Sequence, residues 1–265
     1  MTVRVLHVAS GREWRGGQNQ TLLLARELAA LGVAQACITS GGSELARRLA
    51  RIGVRVREAT WRLSLDPRVL RTIRRELPGA DLVHAHDAHA LRLAGWAVRS
   101  RRPIVASRRV AIPLRRPGWW GRAAKVVAVS EAVRAQLLVD GLSPGRVVTI
   151  PSAVDADAVR AAALPGARQR YALPLQAPIV VTPAALTEEK GHATAVEAAR
   201  ILSADLPALT WVMAGDGAAR TALEARIAAL GLTSRVRLLG QVDDVPSLLR
   251  EATVAVLPSL SEGLG

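Results

Sequence analysis

The sequence predicts an α/β protein with two successive parallel sheets, and three observations carry that prediction. Strand-like apolar runs alternate with helix-like runs along the chain. The strand runs are almost continuously apolar, as parallel strands covered on both faces are, and the rhythm breaks once near the middle before it restarts. With 265 residues and 50% hydrophobic content the chain can bury a large core, and its length favours two domains.

In the first half VRVLHVAS, VAQACITS, VRVREA, DLVHAHD, PIVASRR, KVVAVS and RVVTIPS read as strands, separated by helical patterns such as NQTLLLARELAALG and EAVRAQLLVDGL. In the second half PIVVTPAAL, ALTWVMAG, RVRLLG and TVAVLPS are separated by GHATAVEAARILSADLP, AARTALEARIAALGL and DVPSLLREA. Each half is therefore expected to be a Rossmann-like domain, over residues 1–160 and 176–265, with a linker at 161–175 where prolines, glycine and Ala-rich polar sequence interrupt the pattern. In the usual strand order of such domains TVAVLPS is the fourth strand, and ligands bind at the carboxyl ends of the strands.

Charge divides the halves. Residues 1–165 carry 27 cations against 12 carboxylates, a net of +15, whereas residues 166–265 carry 9 against 10. A basic first domain suits an anionic surface or substrate. Nucleic acid fits poorly, because aromatic residues make up 3% of the chain, with no Phe and one Tyr, which leaves few stacking platforms. Cys37 is the only cysteine, so no intrachain disulfide forms and a reducing compartment is expected. The N-terminal residues lack a signal-peptide pattern and no apolar run is long enough to span a membrane, so a cytoplasmic setting follows, at the inner face of a membrane once the basic domain is considered.

Four strand-to-helix loops carry candidate chemistry. SGREWRGGQNQ puts Gly16 and Gly17 ahead of a helix expected to begin near Asn19, where backbone can approach an anion. DLVHAHDAHAL supplies Asp87 as a helix N-cap, His84 as a structural histidine, and His86 as an imidazole at the sheet's binding edge. A zinc site from His84, His86 and His89 lacks a carboxylate or Cys partner at ligand spacing, so no metal is expected. AALTEEKGHATAVEAAR sets Lys190 one residue before the glycine that opens a helix, which joins a fixed cation to a helix dipole, as a diphosphate requires. Lysine is rare here, Lys125 and Lys190 being the only two among 36 cations. Finally, PSLSEGLG places Glu262 and the backbone of Gly263, Leu264 and Gly265 beside one another for hydroxyl and phosphate oxygens.

The stretches GGQNQTLLLARELAALG, VAVSEAVRAQLLVDGLSPGRVVTIPSAVD, AALTEEKGH, VMAGDGAARTALEARIAALGL and RVRLLGQVDDVPSLLREATVAVLPSLSEGLG together resemble the family 4 glycosyltransferases, retaining enzymes of the GT-B fold, over nearly the whole chain. The resemblance implies two Rossmann-like domains whose sheets face a cleft, and transfer of a sugar from a nucleoside-diphosphate sugar with retained configuration, without a cofactor. It also implies a sequence cut within the family's donor-site glutamate motif, with the second domain incomplete. Carried over by position, Glu262 contacts hydroxyls of the transferred sugar and Gly263 to Gly265 offer amides beside it. Lys190 neutralises the leaving diphosphate, His86 lies near the reacting sugar, and Gly16 and Gly17 approach the donor phosphates. One departure stands out: where the family has an arginine ahead of the lysine, this chain has Ala184 and Ala185, and Arg108 or Arg109 is a candidate substitute. An inactive relative is the alternative that this departure permits.

The basic stretch RRVAIPLRRPGWWGRAAK then becomes the expected acceptor or membrane surface, with Arg108, Arg109, Arg115 and Arg116 around Trp119 and Trp120. The acceptor expected there is a glycan or a lipid-linked glycan of the anionic, lipopolysaccharide type.

Overall fold

The computed structural model describes residues 3–63, 65–99 and 101–264. The chain divides into two compact units at Ala153 and Val154.

The first unit holds seven strands: β1 (Arg4–Ala9), β2 (Ala34–Ser40), β3 (Arg55–Ala59), β4 (Leu82–Ala85), β5 (Ile104–Arg108), β6 (Lys125–Ala128) and β7 (Val147–Thr149). They form one sheet in the order β3-β2-β1-β4-β5-β6-β7, with every pair parallel. All seven stretches read as strands from the sequence supply one. Between them run α1 (Gly16–Ala30), α2 (Glu44–Arg51), α3 (Pro67–Glu76), α4 (Ala88–Val98), α5 (Gly118–Arg122) and α6 (Glu131–Val139). Short polar side chains start four of these helices: Ser43, Asp66, Asp87 and Ser130 each accept from a backbone N–H in the first turn. Val83, Ala85, Leu93, Ala106 and Val126 pack one face of the sheet against α3, α4 and α6, and Ala9, Cys37 and Leu49 pack the other against α1 and α2. Burial on both faces explains the near-continuous apolar strands.

The second unit contains α7 (Ala156–Ala162), α8 (Ala167–Arg170), β8 (Ile179–Pro183), α9 (His192–Asp205), β9 (Thr210–Ala214), α10 (Arg220–Ala229), β10 (Val236–Gly240), α11 (Val245–Arg250) and β11 (Val254–Ala255). Its sheet runs β10-β9-β8-β11, again all parallel, so TVAVLPS is the fourth strand, beside β8. β11 is the shortest strand and both its residues are exposed, whereas all of β9 is buried.

Residues 161–175, read above as linker, are instead part of this second unit. Leu164 N donates to Ser247 Oγ at 2.8 Å, Arg168 pairs with Glu251 at 3.2 Å, and Leu173 is buried with Ile179 and Val212. The prolines and glycine that suggested a connection bound the short helix α8, and apolar Leu173 ties it down. A second correction concerns α1, which begins at Gly16 and so takes both glycines into its first turn. Among the described residues no helix is long and apolar enough to cross a membrane.

Candidate functional site

Each sheet presents its own cluster at its carboxyl edge. In the first unit, β4 carries His84 at its end and hands over to His86, while β1 sets His7 level with His84 in register. The three imidazoles are buried and in contact, with His84 and His86 stacked at 4.1 Å between centroids and His7 stacked on His86 at 5.2 Å. His7 Nδ1 lies 2.9 Å from His86 Nε2, His7 Nε2 lies 3.0 Å from Gln35 Oε1, and His84 Nε2 lies 2.9 Å from Ser107 Oγ. Burial drives His7 down to about 4 and His84 to about 3, and it holds His86 well below the ordinary histidine range, so all three are neutral at pH 7. Asp87 caps α4 as expected, accepting from Ala90 N at 2.8 Å, and its carboxylate also takes the N–H and hydroxyl of Ser10.

The ring nitrogens of His7, His84 and His86 lie within 4.8 Å of one another, close enough to share a metal ion. Both nitrogens of His7 are already hydrogen-bonded, so a metal there would have to displace the contact with His86 or with Gln35. His89 takes no part, its Nε2 lying 3.2 Å from the carbonyl of Leu63.

Beside His86 a cavity of about 290 Å³ is lined by Gly17, Asp87, Arg108, Arg109 and Trp120. Arg109 Nη1 donates to the carbonyl of His86 at 2.8 Å, and burial lowers its guanidinium below the usual arginine range. Arg109 Nε and His86 Nδ1 are both buried with no hydrogen-bond partner. Gly17 leaves room toward Arg109, since a Cβ there would stand 3.7 Å from Arg109 Cδ, whereas Gly16 faces open space.

This arrangement corrects the single basic-aromatic surface expected from the sequence. Arg108 and Trp120 are buried, the guanidinium 5.2 Å above the indole, so with Arg109 they belong to the cavity at His86. Arg115 and Arg116 are exposed. Trp119 packs at the opposite, amino-terminal edge of the sheet, against Gly95, with Trp96 edge-on at 5.9 Å and Arg122 at 5.1 Å over its ring. The two adjacent indoles of α5 therefore serve opposite ends of the sheet.

In the second unit the chain after β8 makes a helical turn over Glu188–Lys190 and enters α9 at Gly191, as the glycine-opened helix predicts. Lys190 and Glu262, 72 residues apart, meet with Nζ 2.6 Å from Oε1, and both side chains are more than two-thirds buried. Leu260 N donates to the carbonyl of Glu189 at 2.8 Å and fixes the loop after β11 against this turn. Gly191 has φ +67°, and a Cβ there would stand 1.9 Å from the carbonyl oxygen of Pro258. Gly215 and Gly217 fit as closely against the carbonyls of Ala184 and Leu186, at 2.0 and 2.4 Å from an added Cβ. Gly263 is half-buried and Leu264 exposed, while Gly265 lies outside the described residues.

The profile of Glycosyltransferase Family 4 matches residues 14–158, more than half of the chain. The chain belongs to glycosyltransferase family 4. The profile of Glycosyl transferases group 1 matches residues 166–265 of this family 4 chain. Among its relatives, the 2-deoxystreptamine glucosyltransferase of Streptomyces kanamyceticus is 31% identical over 150 residues, which are 54% of this chain and 39% of that protein. The lipopolysaccharide core biosynthesis glycosyltransferase LpsE of Rhizobium meliloti (strain 1021) is 35% identical over 98 residues, 37% of this chain and 28% of that protein. The matched stretches thus span well under half the length of these relatives. The crystal structure of Anabaena Alr3699/HepE in complex with UDP-glucose superimposes with a TM-score of 0.81 at 18% identity, covering 97% of this chain and 74% of that one. That likeness is one of fold, the GT-B architecture of two parallel-sheet α/β units.

Sequence reading overlooked four participants in the clusters of this family 4 chain. His7 sits within the apolar alternation of VRVLHVAS, where a buried polar residue is the available signal. Gln35 gives no signal of its own, because its partner is set by strand register. Gly215 and Gly217 in AGDG were visible as glycines after a strand, yet their purpose depends on the neighbouring carbonyls.

Proposed function

We propose that this chain carries out glycosyl transfer from a nucleoside-diphosphate sugar, with Lys190 and Glu262 receiving the donor. The observation that carries this reading is the ion pair between them, a cation and a carboxylate side by side ahead of the α9 N-terminus, whose first turn holds no acidic residue. Lys190 exchanges Glu262 for the donor's diphosphate, and Glu262 turns to hydroxyls of the sugar. As the sugar leaves, charge grows on the diphosphate, and Lys190 with the helix N-terminus stabilises that state more than the bound donor. Departure assisted by a phosphate oxygen that accepts the acceptor's proton gives the retained configuration expected for the family. His86 and Arg109 contribute an acceptor and a charged donor at the carboxyl edge of the first sheet, and the UDP-glucose complex of HepE favours a uridine nucleotide.

UDP titration followed by calorimetry tests this. Lys190→Met is expected to weaken UDP binding about 10- to 100-fold, the range for one charge-assisted hydrogen bond. Glu262→Gln is expected to leave UDP binding equal or tighter, because it frees Lys190, while abolishing the extra affinity for UDP-glucose over UDP. Unchanged UDP binding in Lys190→Met would overturn the assignment.

The acceptor side fits a glycan on an anionic membrane surface. A groove of about 790 Å³ at the amino-terminal edge of the first sheet is lined by Arg99, Arg102, Arg122 and Arg146 with Trp96 and Trp119. Its lining contains no carboxylate, and Trp96 is exposed, so guanidinium groups and indoles meet the solvent together, as headgroup contact requires. Cosedimentation with phosphatidylglycerol vesicles, absent with phosphatidylcholine, is the expected result. The double variant Arg99→Glu, Arg122→Glu is expected to weaken it about 30-fold or more, at about 1 kcal/mol per basic residue removed. Equal cosedimentation with both lipids would count against the membrane.

A further inference from the structure

We propose that His7 and Gln35 are positioning residues that fix the proton of His86 on Nε2, so that His86 presents a bare Nδ1 to the cavity as an acceptor for a ligand hydroxyl. The carbonyl of Ala25 can only accept, and Gln35 Nε2 lies 2.9 Å from it, so the amide group of Gln35 directs its NH2 there and its oxygen toward His7. Gln35 Oε1, 3.0 Å from His7 Nε2, must then accept, and His7 must carry its proton on Nε2.

A neutral imidazole has one N–H, so His7 Nδ1 is an acceptor. Its partner at 2.9 Å is His86 Nε2, which must donate. The same rule leaves Nδ1 of His86 without a proton. That nitrogen is buried and unpartnered, on a residue only 5% exposed that lines the 290 Å³ cavity. An acceptor left unpaired in a buried site costs free energy comparable to a lost hydrogen bond, and a hydroxyl donor arriving in the cavity removes that cost.

Arg109 completes the recognition chemistry. Its Nε is buried without a partner in the same cavity, so the site offers one acceptor and one charged donor to an incoming group. A sugar hydroxyl, which donates to His86 and accepts from Arg109, satisfies both. The opposite arrangement would need a charged His7, with N–H on both nitrogens, and burial opposes that charge down to about pH 4. The relay starts on β2, passes through β1 and ends just beyond β4, so the tautomer of His86 is set by strand register.

The identity of the hydroxyl rests on the glycosyl-transfer reading, whereas the tautomer does not, and two measurements separate them. Long-range proton–nitrogen correlation spectra of the full chain with labelled histidine report which ring nitrogen carries hydrogen. The expected spectrum has His7 and His86 both protonated at Nε2 with Nδ1 bare. Gln35→Glu, whose protonated carboxyl donates to the Ala25 carbonyl and accepts from His7, preserves that pattern, while Gln35→Leu and His7→Leu shift His86 toward protonation at Nδ1. Should His7→Leu fail to fold, Gln35→Leu gives the same readout from a half-buried position. A wild-type His86 protonated at Nδ1, or a His86 tautomer indifferent to both leucine variants, overturns the proposal.

The second measurement compares UDP-glucose with UDP. Gln35→Leu is expected to reduce the preference for UDP-glucose roughly fivefold to tenfold, the value of one hydrogen bond, with UDP affinity unchanged and the preference restored in Gln35→Glu. The expected spectra with an unaltered preference would mean that the relay stands and the sugar assignment fails.

Discussion

Gly191→Ala is expected to lower the thermal midpoint of the second unit by about 8 to 16 °C, and Gly231→Ala by about 4 °C. The two glycines have almost the same backbone, φ +67° and +66°, so the cost of forcing an L-residue into the left-handed region, about 1 kcal/mol, is common to both. They differ in surroundings. A Cβ at Gly231 meets nothing within 4 Å, whereas at Gly191 it would stand 1.9 Å from the carbonyl oxygen of Pro258, a distance no contact tolerates. Relief requires the β11 loop to withdraw, which breaks the bond from Leu260 N to Glu189 and separates Lys190 from Glu262. Overpacking of this kind costs about 1 to 3 kcal/mol beyond the backbone term, and each kcal/mol moves the midpoint of a unit this size by about 4 °C. Calorimetric melts of the two variants check this, and equal shifts would show that the Pro258 contact carries no energy. UDP binding is expected to fall with Gly191→Ala and to survive Gly231→Ala.

Acid is expected to unfold the first unit well above the pH at which carboxylates protonate. His7 and His84 are held near 4 and 3 by burial, while an unfolded histidine titrates near 6.5. Between those values the unfolded chain binds more protons than the native one, so stability is full above pH 6.5 and is lost as pH falls toward the native values. His7 alone accounts for roughly 3 kcal/mol over that interval, and His84 and His86 add to it, against a total of about 5 to 15 kcal/mol for a typical protein. Stabilising carboxylates such as Glu44, depressed to about 2 by Arg48 and Arg47, are lost only at lower pH, so the fall between pH 6.5 and 4.5 reports the histidines. Cys37 is a built-in probe, fully buried in β2 with its thiol pushed up to about 12, and it reacts when the first sheet opens. Labelling of Cys37 by a dipyridyl disulfide is expected to accelerate steeply below pH 6. A flat rate down to pH 4.5 would contradict the assigned burial of the histidines.

The central strands were legible in the sequence because parallel strands buried on both faces leave short, near-continuous apolar runs, whereas the less buried β3 and β11 were legible from their place in the strand-helix rhythm. Lys190 and Glu262 were singled out in the loops that follow β8 and β11, and the structure brings their side chains together. What stayed hidden depended on register or on a single side chain's direction. Trp119 and Trp120 are neighbours in a short helix, and nothing in the string says that one turns into the cavity at His86 while the other covers Gly95. The linker was misplaced because proline and glycine mark a chain that bends, whether or not it is packed. Gln35 donates to α1 and accepts from β1, a role fixed by how β1 pairs with β2.

β5 links the two ends of the first sheet, for Ile104 borders the tryptophan groove and Ser107 and Arg108 border the cavity at His86. From Ile104 to Arg108 the strand advances roughly 13 Å, at about 3.3 Å per residue. The strand is thus a ruler between the groove and the cavity. A group held in the groove therefore stands a strand's length from the cavity, so one small ligand cannot fill both.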